Sequence, residues 1–252
     1  MDRFVDKPFI PSNRVNIVII DSRLGDLHKK QLKARSIELI EVGPCSDLYE
    51  AISCHPDIQC HPLGGNRIVV APNASRSLKD HLIHQEFELV VGNTSLEGNY
   101  PNNIAYNVAR LGDVAFHNTA CTDPVLKYEL IKQGVKLVHV NQGYTKCSVA
   151  IVSEKALITA DKGIAAAARD NGIDALLIRP GFITLKGLSY GFIGGTCGLT
   201  GPDEITFIGD ITKHPDFGLI SRFVMKHGKR IVFLEGAGLS DFGSMIPVKE
   251  AM

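Results

Sequence analysis

The chain has no surplus of charge of either sign: 27 basic residues balance 27 acidic ones over 252 positions. No field of one sign draws it to nucleic acid or to an anionic membrane, so a small ligand or a protein partner is the expectation. Nor does any segment approach the roughly 18 consecutive apolar residues of a membrane span, and the opening MDRFVDKPFIPSN lacks a run of signal-peptide length. A cytoplasmic protein is expected. The six cysteines, Cys45, Cys54, Cys60, Cys121, Cys147 and Cys197, form no CxxC pair and are sparse for this length, which suits free thiols in a reducing compartment. No stretch rich in Ser, Pro or like charges is long enough for a linker, so a single domain spanning 1–252 is expected. GFIGGTCG is not GxGxxG and no Walker pattern occurs, so no nucleotide or other cofactor is expected.

What the chain does have is a loose repeat. Short apolar strands begin at Ile37, Phe87, Lys136, Ala175 and Arg230, and a helix precedes each. Three of these helices carry clear punctuation: Asp123 and Pro124 open one that ends at Gly134, Asp161 one that ends at Gly172, and Pro215 one that ends at Gly228. Upstream of the helices lie hairpins. Ile58–His61 and Arg67–Ala71 flank the turn Leu63-Gly64-Gly65-Asn66, 107–110 and 114–117 flank Leu111-Gly112-Asp113, 147–152 and 156–159 flank Ser153-Glu154-Lys155, and 195–199 and 204–208 flank Gly201-Pro202-Asp203. The unit reads β-β-α-β. A first unit lacks its opening strand, and the segment from Asp241 to Val248 after the last full unit could supply it, closing five units into a ring without an open sheet edge. An open doubly wound sheet needs one strand per helix, and the paired strands weigh against it.

Five such units resemble the pentein superfamily, the α/β propellers that include guanidino-modifying enzymes and the ribosome anti-association factors. The likeness in architecture runs from about Val15 to Val248, while the matching motifs are short. His55-Pro56-Asp57-Ile58-Gln59 resembles the hydrolases' Pro-Asp before a pocket-facing strand, which assigns Asp57 to substrate binding. Leu96-Glu97-Gly98-Asn99 resembles their Leu-Glu-Gly-Gly-Asp turn, with Asn99 in place of a glycine and Tyr100 where the second acid would stand. The unit around Val140–Ile151 is similar to the one that carries their catalytic His, and Tyr144 occupies that place. Gly194-Gly195-Thr196-Cys197 resembles the Gly-rich approach to their nucleophilic Cys, although the chain continues well beyond it.

The resemblance implies a Cys nucleophile attacking a small cationic guanidino or amidino compound, with Cys197 as nucleophile, Glu97 and Asp57 holding the cation, and Asn99 and Tyr144 lining the pocket. The chemistry is consistent, because a guanidinium carbon needs a thiolate and a planar fork of donors suits two carboxylates. A buried structural thiol is the alternative for Cys197. His61 is the first choice for moving protons, with His55, His117 and His139 behind it. The pairs Cys54-His55 and Cys60-His61 suggest a metal, but adjacent residues seldom aim at one ion, so no metal is expected. The other class of function is a non-catalytic pentein that binds a macromolecule, as the anti-association factors do.

Overall fold

A computed structural model describes residues 2–252 and holds five small sheets. Four have three strands each: Cys60–Gly64 with Arg67–Val70 and Glu88–Val91; Ala109–Leu111 with Val114–His117 and Lys136–His139; Val149–Ser153 with Ala156–Thr159 and Asp174–Leu177; and Cys197–Gly201 with Glu204–Ile208 and Arg230–Leu234. In each, the first strand runs antiparallel to the second, and the second pairs in parallel with the third across a helix. The fifth sheet closes the ring. Its C-terminal strand Ile246–Ala251 lies between Asp2–Phe4 and Val15–Asp21, with Glu38–Val42 at the far edge.

The crossover helices Asp26–Ala34, Arg76–His84, Pro124–Lys132, Lys162–Asp170 and Phe217–Lys226 each bury one apolar face, as with Leu78 and Leu82 of the second. Asp123 caps the third through Val125 N and Leu126 N, and Asp161 caps the fourth through Ile164 N. The fifth begins at Phe217 behind Asp216 rather than at Pro215. Gly134, Gly172 and Gly228 take positive φ just past their helices, and Ser36 and Glu86 do the same in the two units without a glycine there.

One departure from the sequence pattern positions the site. The first strands of three hairpins start two residues later than their apolar runs suggest, at Cys60, Val149 and Cys197, because the preceding residues coil into the turns Pro56–Gln59, Thr145–Ser148 and Ile193–Thr196. Asn107 and Ser244 likewise precede the strands Ala109–Leu111 and Ile246–Ala251. A turn at this point aims backbone groups and one or two side chains of every unit at the ring axis instead of at a sheet face.

Candidate functional site

At the axis the five units meet through side chains that are almost wholly buried. Asn107 is the organiser: its Oδ1 accepts from Lys146 N at 2.8 Å and Cys147 N at 3.1 Å, and its Nδ2 donates to Asp57 O at 3.0 Å and contacts Cys147 Sγ at 3.3 Å. The Cys147 thiol reaches both Asp57 oxygens, Oδ1 at 3.2 Å and Oδ2 at 3.1 Å. Ser244 Oγ accepts from Lys146 Nζ at 2.8 Å, donates to Asp57 Oδ2 at 2.6 Å and lies 2.9 Å from Gly194 O. Lys146, Ser244, Asp57 and Cys147 thus form one line of polar contacts, in which a buried cation and a buried carboxylate answer each other through a hydroxyl.

Above this line lies a cavity of about 220 Å³. Tyr49, Tyr144, Tyr190 and Phe192 wall it, and His55, Cys147 and Asp241 supply its polar groups. The Tyr144 and Phe192 rings stand 6.3 Å apart, Tyr190 meets Phe192 edge-on, and Tyr144 is fixed by donating its hydroxyl to Asn103 Oδ1 at 2.9 Å. Asp241 is held by Phe192 N and Gly243 N at 2.8 and 2.9 Å. A Cβ on Gly195 would fall 1.8 Å from Asp241 Oδ1, so the missing side chain at Gly195 makes the space for this carboxylate. Burial pushes Asp241 up to about 7 against those two hydrogen bonds.

His55 is fully enclosed, and neither ring nitrogen has a hydrogen-bond partner; Nε2 stands 3.9 Å from Asp21 Oδ2. Burial lowers its pKa to about 3, leaving a neutral ring. Burial, seconded by Asp57, lifts the Cys147 thiol well above its ordinary value. Asp57 is raised too, by burial, with the Lys146 charge working in the opposite direction.

The residues singled out from sequence fall in three places. Tyr144 lines the cavity, and Asp57 lies directly behind Cys147. Glu97 and Asn99 do not come near: they sit on an exposed turn where Glu97 Oε2 accepts from Asn102 Nδ2. Cys197 and His61 are core residues. The Cys197 thiol points at Ile193 O at 3.5 Å among the apolar side chains of its unit, and burial pushes it up to about 12. His61 packs edge-on against Phe9 with its pKa lowered to about 3 by burial. Neither lines the cavity.

The reason is register. Cys60, Val149 and Cys197 each open a first strand four residues before the paired residue that follows its bulge, Gly64, Ser153 and Gly201, so Cys197 occupies the place of a Val. The cavity-facing cysteine is Cys147, two residues before Val149. Aligning the units on their turns rather than on the Gly-rich stretch would have exposed this. Nothing in the sequence marks Ser244 or Lys146 as companions of Asp57, or Asp241 as a wall of the cavity.

A family model describing a family of unknown function, DUF6873, matches residues 19–246. The chain belongs to this family. No curated protein matches it. Among solved structures, the inosamine-phosphate amidinotransferase StrB1 from Streptomyces griseus is similar with a TM-score of 0.59 at 11% identity, over 99% of this chain and 98% of that one. An agmatine deiminase from C. jejuni gives 0.55 at 10% identity over 95% and 94% of the two chains, and DDAH from Pseudomonas aeruginosa, complexed with citrulline, gives 0.53 at 10% over 88% and 92%. The DUF6873 chain therefore has the pentein fold, a five-bladed α/β propeller of β-β-α-β units closed by the C-terminal strand. No helix among the described residues is long and apolar enough to cross a membrane.

Proposed function

We propose that this DUF6873 protein is a hydrolase or transferase of a small cationic guanidino or amidino compound, acting as one domain through Cys147. One observation carries the reading: a thiol, an imidazole and a carboxylate, those of Cys147, His55 and Asp57, come within 4.8 Å of one another at the floor of a cavity walled by aromatic rings. The rings of Tyr144, Tyr190 and Phe192 offer π faces to a planar cation, and Asp241 offers the matching charge. That the similar folds include enzymes named as a deiminase and an amidinotransferase supports the same substrate class.

In this reading Cys147 Sγ bonds to the amidinium carbon while its proton passes to one of the two unpartnered ring nitrogens of His55. His55 returns that proton to the departing nitrogen as the C–N bond breaks. Water or an acceptor amine then attacks the adduct carbon and frees the thiol. Asp57 orients the thiol and offsets the positive ring that forms transiently, while Asp21 is already paired with Arg23.

A second reading, a pentein that binds its ligand without chemistry, draws on the Cys147 thiol's hydrogen bonds to a carboxylate, an environment that opposes thiolate formation. Intact-mass labelling by a haloacetamidine, with iodoacetamide as the uncharged control, separates the two. Cys121 is the one cysteine that is not buried, so the experiment uses a Cys121→Ser background. Single addition that prefers the amidinium, survives Cys197→Ser and disappears in Cys147→Ser supports the enzyme. Absence of amidinium preference, or unchanged labelling in Cys147→Ser, removes it.

A further inference from the structure

The structure assigns a transition-metal site to His55, Asp57 and Cys147, and we infer that zinc(II) is the ion it suits. Three observations converge there. One donor atom from each residue, a ring nitrogen, a carboxylate oxygen and a sulfur, lies within 4.8 Å of the other two, and all three residues are buried. His55 has no hydrogen bond on either nitrogen although it is only 1% exposed, an unusual position for a polar ring and one that a coordinate bond would resolve. His55 and Cys147 both line the cavity, the side from which a further ligand would reach the ion.

The donor set selects the ion. A thiolate with an imidazole and one carboxylate is the soft-to-borderline combination of zinc, whereas calcium and magnesium take oxygen donors. Tetrahedral bonds of about 2.0 to 2.3 Å put neighbouring donors roughly 3.3 to 3.8 Å apart. Cys147 Sγ and Asp57 already stand at 3.1 and 3.2 Å, so His55 has the larger adjustment to make. Outer contacts that fix two of the ligands are present, Asn107 Nδ2 on the sulfur and Ser244 on the Asp57 carboxylate, while Asp21 Oδ2 stands 3.9 Å from His55 Nε2, too far for a hydrogen bond. Gly243 fixes His55 from the other side, since a Cβ there would lie 2.3 Å from the His55 Cβ. Lys146 opposes a cation at this place, and Asp241 is the second carboxylate that offsets it.

Binding converts the Cys147 thiol to a metal thiolate and releases one proton, so affinity rises with pH. It also takes up the sulfur that the proposed reaction needs. The metal-loaded form is therefore closed to electrophiles, and chelation opens it. The site does not depend on the reaction, because binding is read without turnover.

The test is optical titration of the full chain, freed of metal and kept reduced by a phosphine, with cobalt(II) as the probe. One cobalt per chain, a thiolate-to-cobalt charge-transfer band and loss of that band on adding one equivalent of zinc are expected. Cys147→Ser removes the band. His55→Asn and Asp57→Asn weaken cobalt binding by roughly tenfold or more, while Cys54→Ser, Cys60→Ser and Cys197→Ser leave it intact. No band with the wild type in excess cobalt, or a band that persists in Cys147→Ser, overturns the site; should Cys147→Ser not fold, unchanged affinity in His55→Asn does so. Haloacetamidine labelling under chelator keeps the two proposals apart. Labelling without cobalt binding ends the metal site alone, and cobalt binding without labelling ends the Cys147 reaction alone.

Discussion

Cys147 Sγ stands 3.1 Å from Asp57 Oδ2, although 90 residues separate the two along the chain. The contact joins the second unit of the ring to the fourth, and Ser244 and Lys146 extend it to the first. A ring of five units has one place where all can touch, and here polar groups rather than apolar ones fill it. The hub therefore serves as both the candidate site and part of what holds the units in register.

The first prediction concerns that dual role. Asp57→Asn removes the carboxylate that Lys146 reaches through Ser244, leaves the buried cation with Asp241 alone to offset it, and lowers stability by about 3 kcal/mol. Lys146→Met leaves Asp57 in turn without its cation. The double variant should lose clearly less than the sum of the singles when unfolding by urea is compared across the four proteins. Additive losses would mean that the line from Lys146 to Asp57 is not an energetic unit.

How far the sequence could be read follows from the same geometry. The β-β-α-β period, the caps at Asp123 and Asp161 and the closing strand near Val248 are written in local patterns of apolar spacing and turn residues. Asp57 and Tyr144 were within reach because each sits in a short motif next to its turn. Cys147 was within reach only through alignment of the units on their turns, and Asp241, Ser244 and Lys146 were not, since their significance lies in contacts between units far apart in sequence. Cys197 misled for a physical reason: a Gly-Gly pair before a cysteine looks like an approach to a nucleophile, yet Gly195 is small to admit the Asp241 carboxylate. Glu97 misled because a Glu-Gly turn looks the same on an exposed loop as beside a pocket.

Gly195 supplies the second prediction. Gly195→Ala would force a methyl into the position held by Asp241 Oδ1, 1.8 Å away, and Gly195 lies in a turn tied to Phe242 N and Ser244 N through its carbonyl. The variant should be destabilised by about 1 to 3 kcal/mol and should lose affinity for a small amidinium ligand. Gly134→Ala is a useful contrast: a Cβ there meets no atom within 4 Å, so its cost comes from the positive φ of 75° and ligand affinity should not change. Equal loss of ligand affinity in both would point to general unfolding rather than to Asp241.

Asp241 itself gives a pH dependence. With its carboxyl raised by burial to about 7, the fraction ionised falls tenfold for each pH unit below that value. Binding of a permanently charged guanidinium in the cavity should strengthen as pH rises toward 7 and level off above it. His55, Asp57, Lys146 and Cys147 also bear on this space, so the control is Asp241→Asn, in which calorimetric titration should find weaker binding and a flat profile between pH 5 and 7. A wild-type profile already flat over that range would remove Asp241 as the cation's partner.

His61 bears on stability rather than on the site. Its ring is fully enclosed beside Phe9, Nε2 has no partner, and burial lowers its pKa from 6.5 to about 3. In the unfolded chain it takes a proton near pH 6.5, while the folded protein refuses one until about pH 3, so between these values the unfolded state binds more protons. Its contribution is therefore fully present above pH 6.5 and is lost as pH falls through that window. The loss over the whole window is on the order of 5 kcal/mol. His61→Leu removes the titrating group while keeping an apolar side chain against Phe9, so the variant should lose less stability than the wild type between pH 6.5 and 4, as followed by urea midpoints at each pH. His117, enclosed and lowered to about 4, adds the same sign and remains in both proteins, which makes the difference between them a reading of His61 alone. Parallel acid limbs would show that the His61 ring takes up its proton in the folded state, and would return it to consideration as a proton carrier.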